Sequence, residues 1–365
     1  MIQKERRIPL KIKKLEALLR RLPSNHPERS KVETELSKGL TGFQGEQSLN
    51  YHLSFLPHYH ILHDLRLPAS QGYFQIDTLL VSETFLMIVE IKNIAGTLFF
   101  DQAQRQLIRT YRDKEEAFPD PLLQATRQQL HLQDWLVRHG FPLVPVCYRV
   151  VISNPATLIK TDGRLRNVVH AAALPGEVEG CERMYKQTYL EPKNLRKLCR
   201  LLIKQHTPYN PDVLAHLKIG RDEVKGGVYC PSCFALGMKR ERGKWTCLKC
   251  GTPSKDAHRL SLCDYALLLG SEITNRELRH FLQIESESVA TKMLRQMKLE
   301  SRGERRHRVY KLPLTEWLYP AANEGHKHSA DRRESLADRR ENSADRREVR
   351  PIEYGNRPIE EKFGR

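Results

Sequence analysis

The stretch Phe85-Leu86-Met87-Ile88-Val89-Glu90-Ile91-Lys92-Asn93 constrains this chain more than any other. It reads as an apolar strand whose polar end carries a carboxylate and a lysine two residues apart. Side chains two apart on a strand share a face, so Glu90 and Lys92 project together while Ile91 turns back into the core. Asp77 ends a second apolar run, Tyr73-Phe74-Gln75-Ile76, and hairpin pairing of the two strands would bring it alongside Glu90. Two acids and a lysine converging at a strand end can hold a hard divalent cation and aim a water molecule.

The neighbouring pattern sets the fold class. Strands are expected at about 59–66, 73–81, 85–93 and 96–100, separated by Pro68, Gly72 and Gly96. A Gln- and Leu-rich helix over about 121–139 follows Pro119-Asp120-Pro121. Gly140-Phe141-Pro142 breaks it before a buried strand running from Val144 to Ile152. Strands, a helix and a further apolar strand describe an α/β domain with a mixed sheet. Ahead of it, Leu15, Leu18, Leu19 and Leu22 follow helical spacing after Pro9 in a basic segment, residues 1–40. Another helix is expected over 43–56, after Gly39 and Gly42, with Glu46 near its start.

Charge separates the segments. The chain has 365 residues and a net charge of +17, a length that implies two to four domains. Residues 41–155 carry 9 basic and 11 acidic groups, whereas residues 221–318 carry 19 and 12. A metal site needs carboxylates, and basic flanks can neutralise the phosphates of a polyanion. There is no run of 18 apolar residues and no signal-peptide pattern at the charged N-terminus. The expectation is a soluble, cytoplasmic protein with no membrane partner.

Ordered motifs add a resemblance. Gly42-Phe43-Gln44-Gly45-Glu46, Gln75-Ile76-Asp77, Val89-Glu90-Ile91-Lys92-Asn93 with Gly96, and Asp120-Pro121-Leu122-Leu123-Gln124 resemble the NERD (nuclease-related) domain of the PD-(D/E)xK nuclease superfamily. The similarity covers about residues 40–155, and the domain is bounded at 41–155. One departure is Asp120, where many members have Asn; either residue caps a helix. The resemblance implies a restriction-endonuclease-like mixed sheet flanked by helices. It also implies Mg²⁺ (or Mn²⁺) on Asp77 and Glu90, with the Ile91 carbonyl as a further ligand. Lys92 would orient water or stabilise charge on phosphorus, Glu46 would add a metal or water contact, and Gln124 would steady the site. His52, His58, His60 and His63 read as surface or packing residues.

The eight cysteines divide into two groups. Cys147, Cys181, Cys199 and Cys263 are scattered and read as unpaired thiols in apolar surroundings. Cys230-Pro231-Ser232-Cys233 and Cys247-Leu248-Lys249-Cys250 form two CxxC knuckles 13 residues apart, a spacing suited to structural Zn²⁺. Residues 226–256 therefore read as a zinc ribbon, with Met238 to Thr246 as a basic hairpin. Residues 156–225 before it read as a basic, mostly helical connector.

Residues 257–320 suggest a further module. A helix from Leu260 to Leu269 ends at Gly270, and Thr274 with Glu277 forms a capping box for a second. A third helix passes through Val289, Ala290, Met293, Leu294 and Met297, followed by a hairpin with a basic tip. This order resembles a winged helix-turn-helix. The resemblance implies that Thr291, Lys292, Arg295 and Gln296 face a DNA groove and that Arg305, Arg306 and Arg308 contact phosphate. Residues 321–365 repeat Ala-Asp-Arg-Arg-Glu at a spacing of seven, with too little apolar seam for a coiled coil. They read as a disordered charged tail. The expectation is a metal-dependent nuclease acting on nucleic acid, DNA in particular. The alternatives are a non-catalytic DNA-binding protein and a protein-interaction adaptor; oligomeric state is left open.

Overall fold

The run Leu86–Lys92 is buried on both faces as far as Ile91, which requires a packed layer on each side of it. A computed structural model, describing residues 1–304 and 307–319, supplies both layers. A six-stranded sheet contains β1 (Ile2–Lys4), β2 (His60–Pro68), β3 (Tyr73–Val81), β4 (Leu86–Lys92), β8 (Val146–Ile152) and β10 (Val168–His170), side by side in that order. β2, β3 and β4 pair antiparallel, whereas β1–β2, β4–β8 and β8–β10 are parallel. A second sheet of β5 (Thr97–Asp101), β6 (Gln106–Tyr111), β7 (Lys114–Pro119) and β9 (Leu158–Thr161) lies beside it, in the order β7-β6-β5-β9. The fold class is mixed α/β, as the motif order predicts.

The helices in chain order are α1 (Leu10–Arg21), α2 (Arg29–Leu53), α3 (Pro121–Arg138), α4 (Leu174–Met184), α5 (Pro192–Gln205) and α6 (Val213–Leu217). Leu86 and Ile88 of β4 pack with Leu132 and Trp135 of α3 and with Leu198 and Leu202 of α5. Met87, Val89 and Ile91 pack on the other face against Leu49 and Leu53 of α2 and Leu174 and Val178 of α4. Alternation along one strand thus feeds two cores. Residues 156–225 supply β9 and β10 as well as α4, α5 and α6, so much of this segment packs directly on the sheets. Cys147 and Cys181 meet on the α4 side, their sulfurs 3.7 Å apart.

Two local expectations need correction. The helix read over 43–56 begins at Arg29 and runs unbroken through Gly39 and Gly42. Val32, Leu36 and Phe43 bury against α1, which outweighs the cost of about 1 kcal/mol for each helical glycine. β6 and β7 also escape the sequence pattern. They are joined by Arg112 and Asp113, both at positive φ (48° and 59°), which is the backbone of a tight hairpin turn without its usual glycine.

The C-terminal part shares one core. β11 (Lys239–Glu241), β12 (Lys244–Thr246) and β13 (Pro253–Ser254) make a small antiparallel sheet. Then follow α7 (Ala257–Leu268), β14 (Glu272–Thr274), α8 (Asn275–Leu282), α9 (Glu287–Gln296), β15 (Ser301–Arg302), β16 (Val309–Lys311) and α10 (Leu314–Leu318). Thr274 caps α8 by accepting from Glu277 N–H, and Glu277 accepts from Thr274 N–H in return. Val228, Cys230 and Trp245 pack with Leu262, Ile273, Phe281 and Leu294, so the hairpin module and the helices are one hydrophobic unit. Among the described residues no helix is long and apolar enough to cross a membrane. Arg305, Arg306 and the repeat-bearing tail lie outside the described residues.

α1 joins this unit to the rest of the molecule. Arg21 is fully buried, and its Nε donates to Asp264 Oδ2 at 2.9 Å while Nη1 donates to the Gly227 carbonyl at 2.7 Å. Arg20 Nη2 donates to the other Asp264 oxygen at 2.7 Å, and Arg21 lies 4.8 Å over the Phe281 ring. Asp264→Ala leaves a guanidinium buried without its counter-charge. A loss of about 3–5 kcal/mol is expected, measured by urea unfolding of the whole chain; a loss of under about 1 kcal/mol, the range of an exposed pair, would contradict this role.

Candidate active site

The paired part of β3 and β4 ends with Thr78 opposite Val89, one step before Asp77 and Glu90. Where the strands part, Asp77 Oδ2 accepts from the Ile91 N–H at 2.9 Å. Lys92 Nζ donates to Glu90 Oε1 at 2.6 Å and to Gln124 Oε1 at 3.1 Å. Asp120 starts α3 by accepting from the Leu122 N–H at 2.8 Å, which aims Gln124 and, one turn later, Gln128 at the strand end. Gln128 is buried and its Nε2 donates to Glu90 Oε2 at 2.7 Å. Its Oε1 has no partner, so an open acceptor remains beside the acids.

α2 closes the site from the opposite side. Asn93 Nδ2 donates to the Thr41 carbonyl at 2.8 Å. A Cβ at Gly45 would lie 2.2 Å from Asn93 Cβ and 2.8 Å from Ser153 Oγ. Only glycine lets the helix come this near, and the following residue, Glu46, is thereby carried toward the acids. Gly45→Ala is expected to cost about 1–3 kcal/mol through forced separation, read by chemical unfolding. It should also impair any activity of the site, whereas Gly176→Ala, where a Cβ on α4 meets open space, should not.

The charges around Glu46 come from the N-terminus. Arg6 donates from Nη1 to Glu46 Oε2, and from Nη2 to His63 Nδ1 and Thr78 Oγ1, both at 2.9 Å. Its Nε is buried and unpartnered. Burial, then Arg6 and Lys4, pulls His63 down to about 3, so the ring is neutral and its Nδ1 accepts. Glu46 is held above the ordinary carboxylate range by burial, against the pull of Arg6. Asp77 is held well above it by burial, then by Glu90 and Glu46, with only partial relief from the Ile91 N–H and Lys92. Crowded acids of this kind hold a proton or a cation.

Glu46, Asp77, Glu90, Lys92 and Gln124 are therefore brought to one place. Arg6 and Gln128 join them, and neither was singled out from the sequence. Gln128 follows Gln124 by one helical turn, which is a readable signal; Arg6 lies 40 residues from its partner Glu46 and leaves none. Among the described residues the three acids do not themselves close into a ligand cluster; Lys92 and Gln128 bond the two Glu90 oxygens, and Arg6 engages Glu46. The donors present are hard oxygens in a cramped, proton-holding group, and they fit a hard cation that would relieve it.

Residues 41–153 match the nuclease-related domain family, NERD. No curated protein and no solved structure matches the chain. The NERD segment holds Glu46, Asp77, Glu90, Lys92 and Gln124, whereas Arg6 precedes it.

The four knuckle cysteines do form a ligand cluster. The Sγ atoms of Cys230, Cys233, Cys247 and Cys250 lie within 4.8 Å of one another. Cys230–Cys250 and Cys233–Cys247 are 3.6 and 3.5 Å apart. A tetrahedral ion with Zn–S bonds of about 2.3 Å needs sulfurs about 3.8 Å apart, so the cluster fits zinc. Lys292, Arg295 and Gln296 are exposed on α9, and Thr291 is half-buried, donating to the Glu287 carbonyl and accepting from Asn275. A shallow depression runs along Glu287, Ser288, Thr291, Lys292 and Arg295. Arg308 is exposed.

Proposed function

We propose that this chain is a metal-dependent nuclease that hydrolyses phosphodiester bonds of DNA in the cytoplasm. The observation that carries the reading is the gathering of Glu46, Asp77 and Glu90 beside Lys92, where burial and then the neighbouring acids raise the Asp77 carboxyl well above its ordinary range. Asp77 and Glu90 would hold Mg²⁺ or Mn²⁺, with the Ile91 carbonyl as a further oxygen. Such an ion supplies Lewis acidity and lowers the pKa of a bound water.

The chain's own residues divide the remaining work. Lys92, steadied by the Gln124 oxygen, is placed to meet charge developing on a phosphoryl oxygen. Glu46 would orient the attacking water, and Arg6 fixes the direction of its carboxylate. Gln128 keeps the Glu90 carboxylate from rotating. Residues 230–250 would hold structural Zn²⁺. Residues 257–320, whose described part runs helix, strand, helix, helix, strand, strand and a short final helix, would act as a winged helix, presenting Thr291, Lys292, Arg295, Gln296 and the basic wing to DNA.

A second reading, a module that binds nucleic acid without cutting, is favoured by the engagement of both Glu90 oxygens. Incubating the protein with labelled DNA and RNA, with and without added Mg²⁺, separates the two. Magnesium-dependent cleavage that Lys92→Ala lowers by about 10²-fold or more supports the enzyme. Binding with no cleavage in any metal supports the second reading.

A further inference from the structure

Arg66 lies on β2 opposite Gln75 of β3. Its guanidinium carbon stands 3.8 Å from the centre of the Tyr73 ring and 5.5 Å from that of Tyr209. Tyr73 is 49% exposed and Tyr209 53%, so an arginine plane and two open rings gather on one part of the surface. Both rings gather on one cation, which is attracted to the faces of aromatic rings.

The cluster is connected to the acids. Tyr73 and Gln75 occupy alternate positions of β3, outward of the buried Phe74 and Ile76, and so share a face, and Asp77 lies two residues further along the same strand. Tyr73 and Asp77 are about 13 Å apart along the strand. Gln75 Nε2 donates to Asp64 Oδ1 at 3.1 Å, and the Asp64 charge is felt at Glu46. One strand thus runs from the rings to the acids.

We propose that Tyr73, Arg66 and Tyr209 form a stacking platform for unpaired nucleobases, which makes a single-stranded or frayed DNA strand the substrate of the nuclease site. Bases stack on aromatic faces and on guanidinium planes without regard to sequence, and a base already stacked within a duplex is not free to do so. This deepens the nuclease reading and rests on it for the meaning of the site. The platform itself needs only binding.

The test uses the full chain without added Mg²⁺ or Mn²⁺, so that no cutting occurs. Fluorescence anisotropy follows a labelled oligothymidine strand and, separately, a blunt duplex. Tyr73→Ala and Tyr209→Ala should each weaken single-strand binding roughly tenfold, leaving duplex binding unchanged. Tyr73→Phe should retain it, because the ring remains, and Tyr51→Ala, on an exposed ring of α2, should have no effect. Single-strand binding that is absent, or equal in wild type and both alanine variants, overturns the platform. Such a result alongside metal-dependent cleavage would leave the nuclease reading intact. Tyrosine-dependent binding without cleavage would uphold the platform and remove the nuclease.

Discussion

Asp77→Asn is expected to make the magnesium-free protein more stable above neutral pH while removing the cleavage activity proposed for it. The sign follows from the carboxyl's surroundings. Burial, Glu90 and Glu46 raise the folded pKa of Asp77 above its unfolded value, so the folded state keeps a proton that the unfolded chain releases. Stability from this group is complete below the ordinary carboxylate value of about 3.9 and is lost as pH rises through the raised one. Asn carries no charge, and its side-chain oxygen can still accept from the Ile91 N–H. A gain in stability is therefore expected at high pH, each tenfold difference in proton affinity between folded and unfolded chains being worth about 1.4 kcal/mol. Cleavage should fall by about 10²–10³-fold or more, reflecting several kcal/mol of lost charge stabilisation. Urea unfolding without added Mg²⁺ or Mn²⁺, at mildly acidic and mildly alkaline pH, checks the first part. A variant less stable than wild type on the alkaline side would contradict the account of crowded acids.

Cys247→Ser is expected to release zinc and loosen the whole C-terminal unit. Structural zinc contributes on the order of 10 kcal/mol of folding energy in small zinc-finger modules, and three thiolates hold it far less well. The damage should spread beyond the ribbon. Trp245 is 1% exposed and packs in the core shared with α7, α8 and α9. Its indole N–H donates to His258 Nδ1 at 3.3 Å, where burial lowers the imidazole to about 4 and leaves Nδ1 free to accept. Wild type should carry one zinc per chain by elemental analysis. Cys247→Ser should carry almost none and show a red-shifted tryptophan emission. Unchanged zinc content would refute the four-thiolate site.

Local chemistry explains which parts were legible in the sequence. Glu90 and Lys92 could be read because strand periodicity is two and their apolar neighbours are continuous. Asp77 could be placed because a short turn leaves little choice of hairpin register. The knuckle cysteines were legible because ligand spacing follows metal geometry. Contacts between distant segments left no such trace. Arg6 reaches Glu46, and Arg21 reaches Asp264, across 40 and 243 residues, and nothing local in either segment announces the partner. The hairpin at Arg112-Asp113 was hidden because its turn does without the glycine that usually marks positive φ. The unbroken α2 was hidden because Gly39, Gly42 and Gly45 look like breakers until the close approach at Gly45 is seen. Gln128 lay between these cases: its spacing from Gln124 was visible, but its burial against Glu90 depends on how α3 rests on the sheet.

The central claim is that the strand end at Glu90 cuts phosphodiester bonds. The most direct measurement is a single-turnover cleavage time course on end-labelled single-stranded DNA, with wild type and Asp77→Asn compared at equal folded concentration in Mg²⁺. Product is expected from wild type, none without added Mg²⁺ or Mn²⁺, and at least about 10²-fold less from Asp77→Asn. Equal cleavage by both proteins, or none by a folded wild type in Mg²⁺ or Mn²⁺, would contradict it.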